Sequence, residues 1–105
     1  MTQPCQTHHL HWRGMRIEVR YCPSWLEAHE EIVGQPLAHL EIDVLDPLRS
    51  PLPITATGYR SHFTAPQVID AEGGAVAFVN RWLDEAAQSP DWKAQEAAAR
   101  QMSFL

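Results

Sequence analysis

The sequence is poor in lysine and has no basic run. Seven of its eight basic residues are arginine, these residues are scattered, and the formal net charge is −5. A protein that binds a nucleic-acid backbone needs clustered cationic side chains. We therefore expect no direct binding to nucleic acid. A mildly acidic surface favours solubility or contact with a basic partner surface.

Long apolar runs are also missing, which predicts that the chain does not cross a membrane. The first eleven residues have neither a basic start nor an apolar core, so they do not form a signal peptide. We expect a cytoplasmic protein, in which Cys5 and Cys22 remain free thiols. A disulfide between them stays open as an alternative, because the two would lie close together if the first hairpin extends outward.

The composition is that of an ordinary globular protein. The chain has 105 residues, of which 45% are hydrophobic and 20% charged, and this length fits one domain with one core. We predict a flexible lead over residues 1–7, a single domain over 8–101 and an apolar tail over 102–105. Four tryptophans in so short a chain favour a large buried area or an interface.

Strict alternation on both sides of residues 13–14 predicts a β-hairpin with a two-residue turn. In that register Trp12 pairs with Met15 and Leu10 pairs with Ile17, so both pairs share the buried face. The polar face then carries His9, His11, Arg16 and Glu18.

Two more strands are predicted, over Leu37–Leu45 and Ile54–Phe63, with a bulge or bend at Gly58. Between the second and third strands lies a long acidic connection over residues 23–36. It is either a short helix capped by Ser24 or a mobile loop carrying Trp25.

After residue 64 the apolar period becomes helical. A short helical turn is predicted over Gln67–Glu72, followed by helices over 75–86 and Pro90–Gln101. The sequence therefore predicts an α+β fold, in which a four-stranded antiparallel meander is followed by two C-terminal helices packed on one face.

Two groups of polar residues are candidates for a partner-binding surface. The acidic connection and the polar face of the third strand supply the first group. Arg60 and His62 form the second group, a weak anion site. Tyr59 and Phe63, on the other face of the same strand, are expected in the core. Ser61 and His62 point to opposite faces of a strand and do not make a catalytic pair. The candidate partner-binding residues are Trp25, Glu27, Glu30, Glu31, Glu41, Asp43, Arg60 and His62.

Three histidines near the start of the chain are weak candidates for a metal site. His9 and His11 share one face of a strand, and His8 is adjacent to them. No Cys-x-x-Cys or His-Glu-x-x-His signature accompanies them. Exposed histidines without a ligand are the simpler interpretation, so no metal and no cofactor are predicted.

The last five residues resemble the short peptide by which bacterial replication and repair proteins dock on the sliding clamp. That peptide runs Gln, then Leu or Met, then Ser or Asp, then Leu, then Phe. Gln101, Met102 and Ser103 match it, whereas Phe104 and Leu105 stand in reversed order. The alternative is a helix end whose apolar side chains fold back on the core.

Three stretches resemble small uncharacterised proteins of bacterial plasmids and integrative elements. These are Ala38–Ile42, Leu52–Phe63 and Trp82–Glu85. The resemblance transfers no catalytic residue, but it implies an accessory role typical of mobile elements.

Our leading hypothesis is that the chain is a non-enzymatic, protein-binding accessory protein of a mobile genetic element. Its specific role would be to inhibit a host nucleic-acid-targeting defence system, as anti-CRISPR or antirestriction proteins do. The partner would be another protein, such as a nucleic-acid-processing or defence complex, and exposed edge strands make a homodimer plausible. The alternatives are a clamp-docking factor using the C-terminal peptide, or a small metal-binding protein or enzyme using His8, His9 and His11.

Overall fold

The computed structural model describes residues 4–25, 34 and 36–102. One antiparallel sheet of order β1-β2-β3-β4 is followed by helices, which confirms the predicted α+β meander. None of the helices in these ranges is long and apolar enough to span a membrane. The elements are β1 (Gln6–Trp12), β2 (Met15–Cys22), β3 (Ala38–Asp46), β4 (Tyr59–Thr64), α1 (Pro66–Ala71), α2 (Ala75–Ala86) and α3 (Pro90–Met102).

The first hairpin has the predicted register, with Trp12 opposite Met15 at the turn. Arg13 and Gly14 both have positive φ angles, 48° and 80°. A two-residue turn with two positive φ angles matches the right-handed twist of the flanking strands. β1 begins at Gln6, so the prediction that residues 6 and 7 belong to a loose lead was wrong. Pairing with β2 orders this stretch.

The two cysteines form a disulfide, so the prediction of free thiols was wrong. Gln6 pairs with Tyr21, and continuing that register by one residue sets Cys5 opposite Cys22. Their Cα atoms are 4.2 Å apart. The bond therefore closes the open end of the hairpin, on the side remote from its turn.

The fourth strand is shorter than predicted, because it begins at Tyr59 and not at Ile54. Leu52 and Thr55 form an isolated bridge that bends the chain before the strand starts. Gly58 has a φ of 77°, and a Cβ on it would lie 2.6 Å from backbone atoms of Arg49. Gly58 is therefore the bend that the sequence indicated, and it separates this turn from β4.

The core lies between one sheet face and the helices. Ile17 and Val19 of β2 and the inward residues of β3 are fully buried, and Val79 and Leu83 of α2 belong to the same core. α1 contributes Ile69, and the predicted turn over residues 67–72 is this short helix. No described helix covers the other sheet face. The buried apolar strand residues of this core are Leu10, Trp12, Ile17, Val19, Tyr21, Ala38, Leu40, Ile42 and Val44.

The last helix starts as the sequence predicts. Ser89 Oγ accepts a hydrogen bond of 3.2 Å from the backbone N–H of Trp92, and Pro90 occupies the first helical position. The ring of Trp92 lies 6.1 Å from that of Trp12. Trp92 is the one large apolar side chain that anchors the described part of α3 to the core.

Candidate functional site

The sheet face opposite the helices, called the open face below, carries most of the polar side chains of the four strands. Pairing sets Glu18 of β2 opposite Asp43 of β3, and Glu41 opposite Ser61 of β4. The alternation of a pleated strand then fixes which side chains lie there. The open face consists of Thr7, His9, His11, Arg16, Glu18, Arg20, Cys22, His39, Glu41, Asp43, Leu45, Tyr59, Ser61 and Phe63.

One end of the open face is an aromatic cluster of Trp25, His39 and Phe63. The His39 ring lies between the other two, at centroid distances of 4.5 Å to Trp25 and 4.4 Å to Phe63. It is 4% exposed, and its Nε2 is hydrogen-bonded to Ser61 Oγ at 2.6 Å. The outer rings remain accessible, with Trp25 44% and Phe63 49% exposed. The cluster is thus a fixed apolar platform with two rings open to solvent.

The backbone holds Trp25 over this platform. Its N–H donates a hydrogen bond of 2.9 Å to the carbonyl of Leu37, which lies just before β3. The two ends of the 23–36 connection therefore meet beside His39. This arrangement brings a loop tryptophan onto the sheet, although the sequence left its position open between a helix and a loop.

Carboxylates occupy the middle of the open face. Glu41 accepts a hydrogen bond of 3.0 Å from the Tyr59 hydroxyl and lies 3.4 Å from the guanidinium of Arg20. Burial, then the hydrogen bond and charge of Glu41, raise the pKa of Tyr59 above its usual value, so the phenol stays a donor at neutral pH. Glu18 lies 3.6 Å from His9.

Asp43 adds an unbalanced negative charge to this group. It lies directly opposite Glu18, and like charges in that position repel each other. Its carboxylate has no hydrogen bond or ion pair within the described residues. The open face carries three carboxylates and two arginines, Arg16 and Arg20, so its formal charge remains negative and favours a cationic group.

Arg60 and His62 lie on the opposite side of the sheet, facing the helices. The His62 ring is 4.8 Å from Trp82 and 6.0 Å from Phe78, and the Arg60 guanidinium lies 5.4 Å from the Trp82 ring. Burial, then the charges of Arg60 and His39, lower the pKa of His62. His62 borders an open groove of about 340 Å³, whose other lining residues are Glu72, Phe78, Arg81, Trp82 and Glu85.

The structure thus divides the predicted partner-binding residues between two faces. Trp25, Glu41 and Asp43 come together on the open face, whereas Arg60 and His62 do not join them. The prediction that Tyr59 and Phe63 are core residues was wrong, since both are exposed on the open face. Glu27, Glu30 and Glu31 lie outside the described residues.

Apolar character misled the assignment of β4. Alternation shows that Tyr59 and Phe63 share one face of the strand, but not whether that face is the buried one. They were predicted to point inward because they are large and apolar. Pairing with β3 decides the matter, because the buried Leu40 lies opposite His62. A cross-strand register was the signal needed, and no local pattern in residues 54–63 supplies it.

The histidines near the start of the chain do not converge. His9 and His11 share the open face as predicted, whereas His8 points to the helical side and is hydrogen-bonded to Gln6 at 3.1 Å. Within the described ranges no three histidine, cysteine or carboxylate side chains are grouped to hold a metal ion.

The C-terminal peptide is only partly described. Gln101 is exposed in the last turn of α3, and the helix ends at Met102. Ser103, Phe104 and Leu105 lie outside the described residues, so the docking peptide stays a prediction.

A family model described as the KlcB third domain matches residues 5–92. The match covers all four strands, α1, α2 and the start of α3. No curated protein and no solved structure shows significant similarity to the chain. Because the match spans well over half of its length, the chain belongs to the KlcB third-domain family.

Proposed function

We propose that this member of the KlcB third-domain family is a non-enzymatic protein-binding accessory protein, and that the open face is its binding surface. One observation carries the proposal: large aromatic side chains are exposed on a sheet face that no described helix covers. Trp25, Tyr59 and Phe63 are 44%, 42% and 49% exposed there. Together with Leu48 and Val68 elsewhere, they are the exposed large hydrophobic side chains of the described residues.

The aromatic cluster has the features of a binding hot spot. Tryptophan and other large aromatics dominate the energy of interfaces, because each buries about 150–250 Å². Ordering a side chain on binding costs free energy. Here the His39–Ser61 hydrogen bond and the ring contacts already hold Trp25 and Phe63 in place, so less entropy is lost.

The charge of the open face supports a basic partner surface. Glu18, Glu41 and Asp43 lie side by side on neighbouring strands, and the whole chain carries a net charge of −5. Complementary charge speeds association and selects partners. Proteins that act on nucleic acids carry basic surfaces, so a nucleic-acid-processing or host defence complex fits this charge.

We further propose an origin on a mobile genetic element, with inhibition of a host nucleic-acid-targeting defence system as the role. The resemblance of Ala38–Ile42, Leu52–Phe63 and Trp82–Glu85 to plasmid proteins supports this origin. Membership of the KlcB third-domain family is compatible with it and names no activity. An acidic inhibitor would act by covering the basic surface that its target uses.

Affinity capture from a lysate of the host bacterium, read out by mass spectrometry, tests the binding surface. The intact protein should recover a specific protein partner, and Phe63→Ala or Trp25→Ala should lose it. Val68→Ala is the matched control, since Val68 is 46% exposed on α1, the helix whose Ile69 packs on the other side of the sheet. Equal recovery by the Phe63 and Val68 variants, or no specific partner for the intact protein, contradicts the proposal.

Docking on the sliding clamp is the second candidate function. The observation in its favour is that Gln101, the polar anchor of the peptide, is exposed at the end of α3. Deleting residues 101–105 should abolish binding of the protein to purified clamp, while the fold stays intact. Absence of binding by the intact protein at micromolar concentration contradicts this function.

A further inference from the structure

β4 is an edge strand, and the direction of its backbone groups follows from its pairing with β3. The Val44 N–H donates a hydrogen bond of 2.9 Å to the Gly58 carbonyl. In an antiparallel pair, residues that exchange hydrogen bonds alternate with residues whose groups point away. Residues 60, 62 and 64 therefore bond to β3, and residues 59, 61 and 63 direct their N–H and C=O groups outward.

Part of this outer edge is already occupied by side chains. The hydroxyls of Thr55 and Thr57 donate to the Tyr59 carbonyl at 2.7 and 3.2 Å. The outward groups of Ser61 and Phe63 have no hydrogen-bond partner within the described part of the chain. Two residues thus offer two donors and two acceptors to an additional strand.

Different surfaces flank this free edge on the two sides of the sheet. On the open face, Ser61 is a small side chain between the exposed rings of Tyr59 and Phe63, and Glu41 lies directly behind it on β3. On the helical side, His62 borders the groove formed with Phe78 and Trp82. An added strand would place alternate side chains against these two surfaces.

We propose that an extended segment of the partner protein adds to the β4 edge as a fifth strand, with a basic side chain over Ser61 directed at Glu41 and an apolar neighbour at the groove beside His62. The proposal rests on the proposed function and specifies the chemistry of its partner. Main-chain hydrogen bonds supply the affinity in this mode of recognition, and alternate side chains supply the specificity.

Charge complementarity determines the basic position. The residue of the added strand that lies opposite Ser61 points to the open face, as Ser61 does. Its backbone is two strand spacings, about 10 Å, from the backbone of Glu41 on β3. A lysine or arginine side chain can cross the small Ser61 toward Glu41 and Asp43. Asp43 has no ion pair within the described residues, so a cation there would also relieve its repulsion with Glu18.

A second copy of the chain fits this edge less well. Antiparallel pairing about Ser61 would set Ser61 against itself and Arg60 against His62. Such a dimer brings no cation to Glu41, and it sets the Arg60 guanidinium of one copy against His62 of the other. The acidic open face therefore favours a basic segment from a different protein.

Selection of phage-displayed random dodecapeptides on the intact protein tests the proposal. The selected peptides should share a basic residue next to an apolar one. The synthetic form of a selected peptide should bind Ser61→Pro about tenfold more weakly, because proline removes one outward donor and blocks the edge. Ser61→Ala, which loses only the hydroxyl, should bind within about twofold of the wild type.

A second variant separates the charge from the strand addition. Glu41→Gln keeps an acceptor for Tyr59, and it should bind the basic peptide several-fold more weakly. Peptides without the basic residue, or equal binding by Ser61→Pro and Ser61→Ala, overturn the proposal. So does a concentration-dependent dimer in sedimentation that Ser61→Pro abolishes, since the edge would then serve self-association.

The two proposals fail in different ways. If Phe63→Ala loses the captured partner while Ser61→Pro retains it, the open face binds the partner and the edge does not. If Ser61→Pro loses the selected peptide while Phe63→Ala still captures its partner like the wild type, the edge binds peptides and the open face lacks the proposed function.

Discussion

The indole N–H of Trp12 donates a hydrogen bond of 2.9 Å to a carboxylate oxygen of Asp84, which joins β1 to α2 across 72 positions of the chain. Trp12 is 4% exposed, so this donor has little access to water. A buried donor without a partner costs about 1–3 kcal/mol. The contact therefore fixes the helix on the sheet through one polar bond beside an apolar core.

Replacing Asp84 by alanine should lower the free energy of unfolding by about 1–2 kcal/mol, because the Trp12 donor loses its acceptor. Asp84→Asn keeps an amide oxygen in place and should cost less than about half of that. Urea denaturation followed by far-UV circular dichroism measures both variants. Equal stability of the alanine and asparagine variants would show that the hydrogen bond contributes little.

A methyl group at Gly58 should destabilise the protein strongly. Its Cβ would lie 2.6 Å from the Cα and carbonyl carbon of Arg49, and its φ of 77° is unfavourable for any L-residue. We expect Gly58→Ala to cost more than about 2 kcal/mol, since the clash adds to a backbone penalty of about 1–2 kcal/mol.

Gly14 is the matched control for that change. Its φ is 80°, almost the same as that of Gly58, but an added Cβ meets nothing within 4 Å. Gly14→Ala should therefore cost only the backbone penalty. If the two variants unfold at the same denaturant concentration, the close approach of Arg49 does not constrain the start of β4.

The disulfide should make stability depend on the redox conditions. Cys5 and Cys22 are separated by 17 positions, and a bond closing a loop of that size contributes about 3 kcal/mol in the chain-entropy model. Dithiothreitol should lower the urea midpoint of the wild type to that of Cys5→Ser. The Cys5→Ser variant itself should not respond, and an unchanged wild-type midpoint in reductant would contradict this prediction.

Local patterns predicted the elements of the fold and could not predict their assembly. The Trp12–Met15 register followed from alternation and a two-residue turn, because both depend on neighbouring residues. The disulfide was left as the less favoured alternative, because the choice was made from the expected cellular compartment and not from the register. The helical half was also readable, since Pro90 and the alanine-rich sequence act within a single helix.

The candidate site depends on contacts between distant strands, which explains why it was predicted only in part. Glu41 was placed correctly on the polar face of β3, because alternation there is strict. The aromatic cluster was missed, since it needs a loop residue, Trp25, and a strand residue, Phe63, to meet at His39. The sequence separations involved are too long for periodicity to detect.

The stability of the protein should fall on mild acidification through His62. Burial, then the charge of Arg60, lower the pKa of His62 in the folded protein, whereas in the unfolded chain it keeps its ordinary value of about 6.5. The unfolded chain therefore binds the proton first, and stability declines as the pH falls below about 6.5. His62→Phe keeps a ring beside Phe78 and Trp82 and removes the proton site, so its melting temperature should fall less than that of the wild type between pH 7.5 and pH 5.5. Arg60→Gln removes one cause of the pKa shift, so its fall in melting temperature should be intermediate between those of the wild type and His62→Phe. If the melting temperatures of all three proteins change equally with pH, His62 does not control the pH dependence.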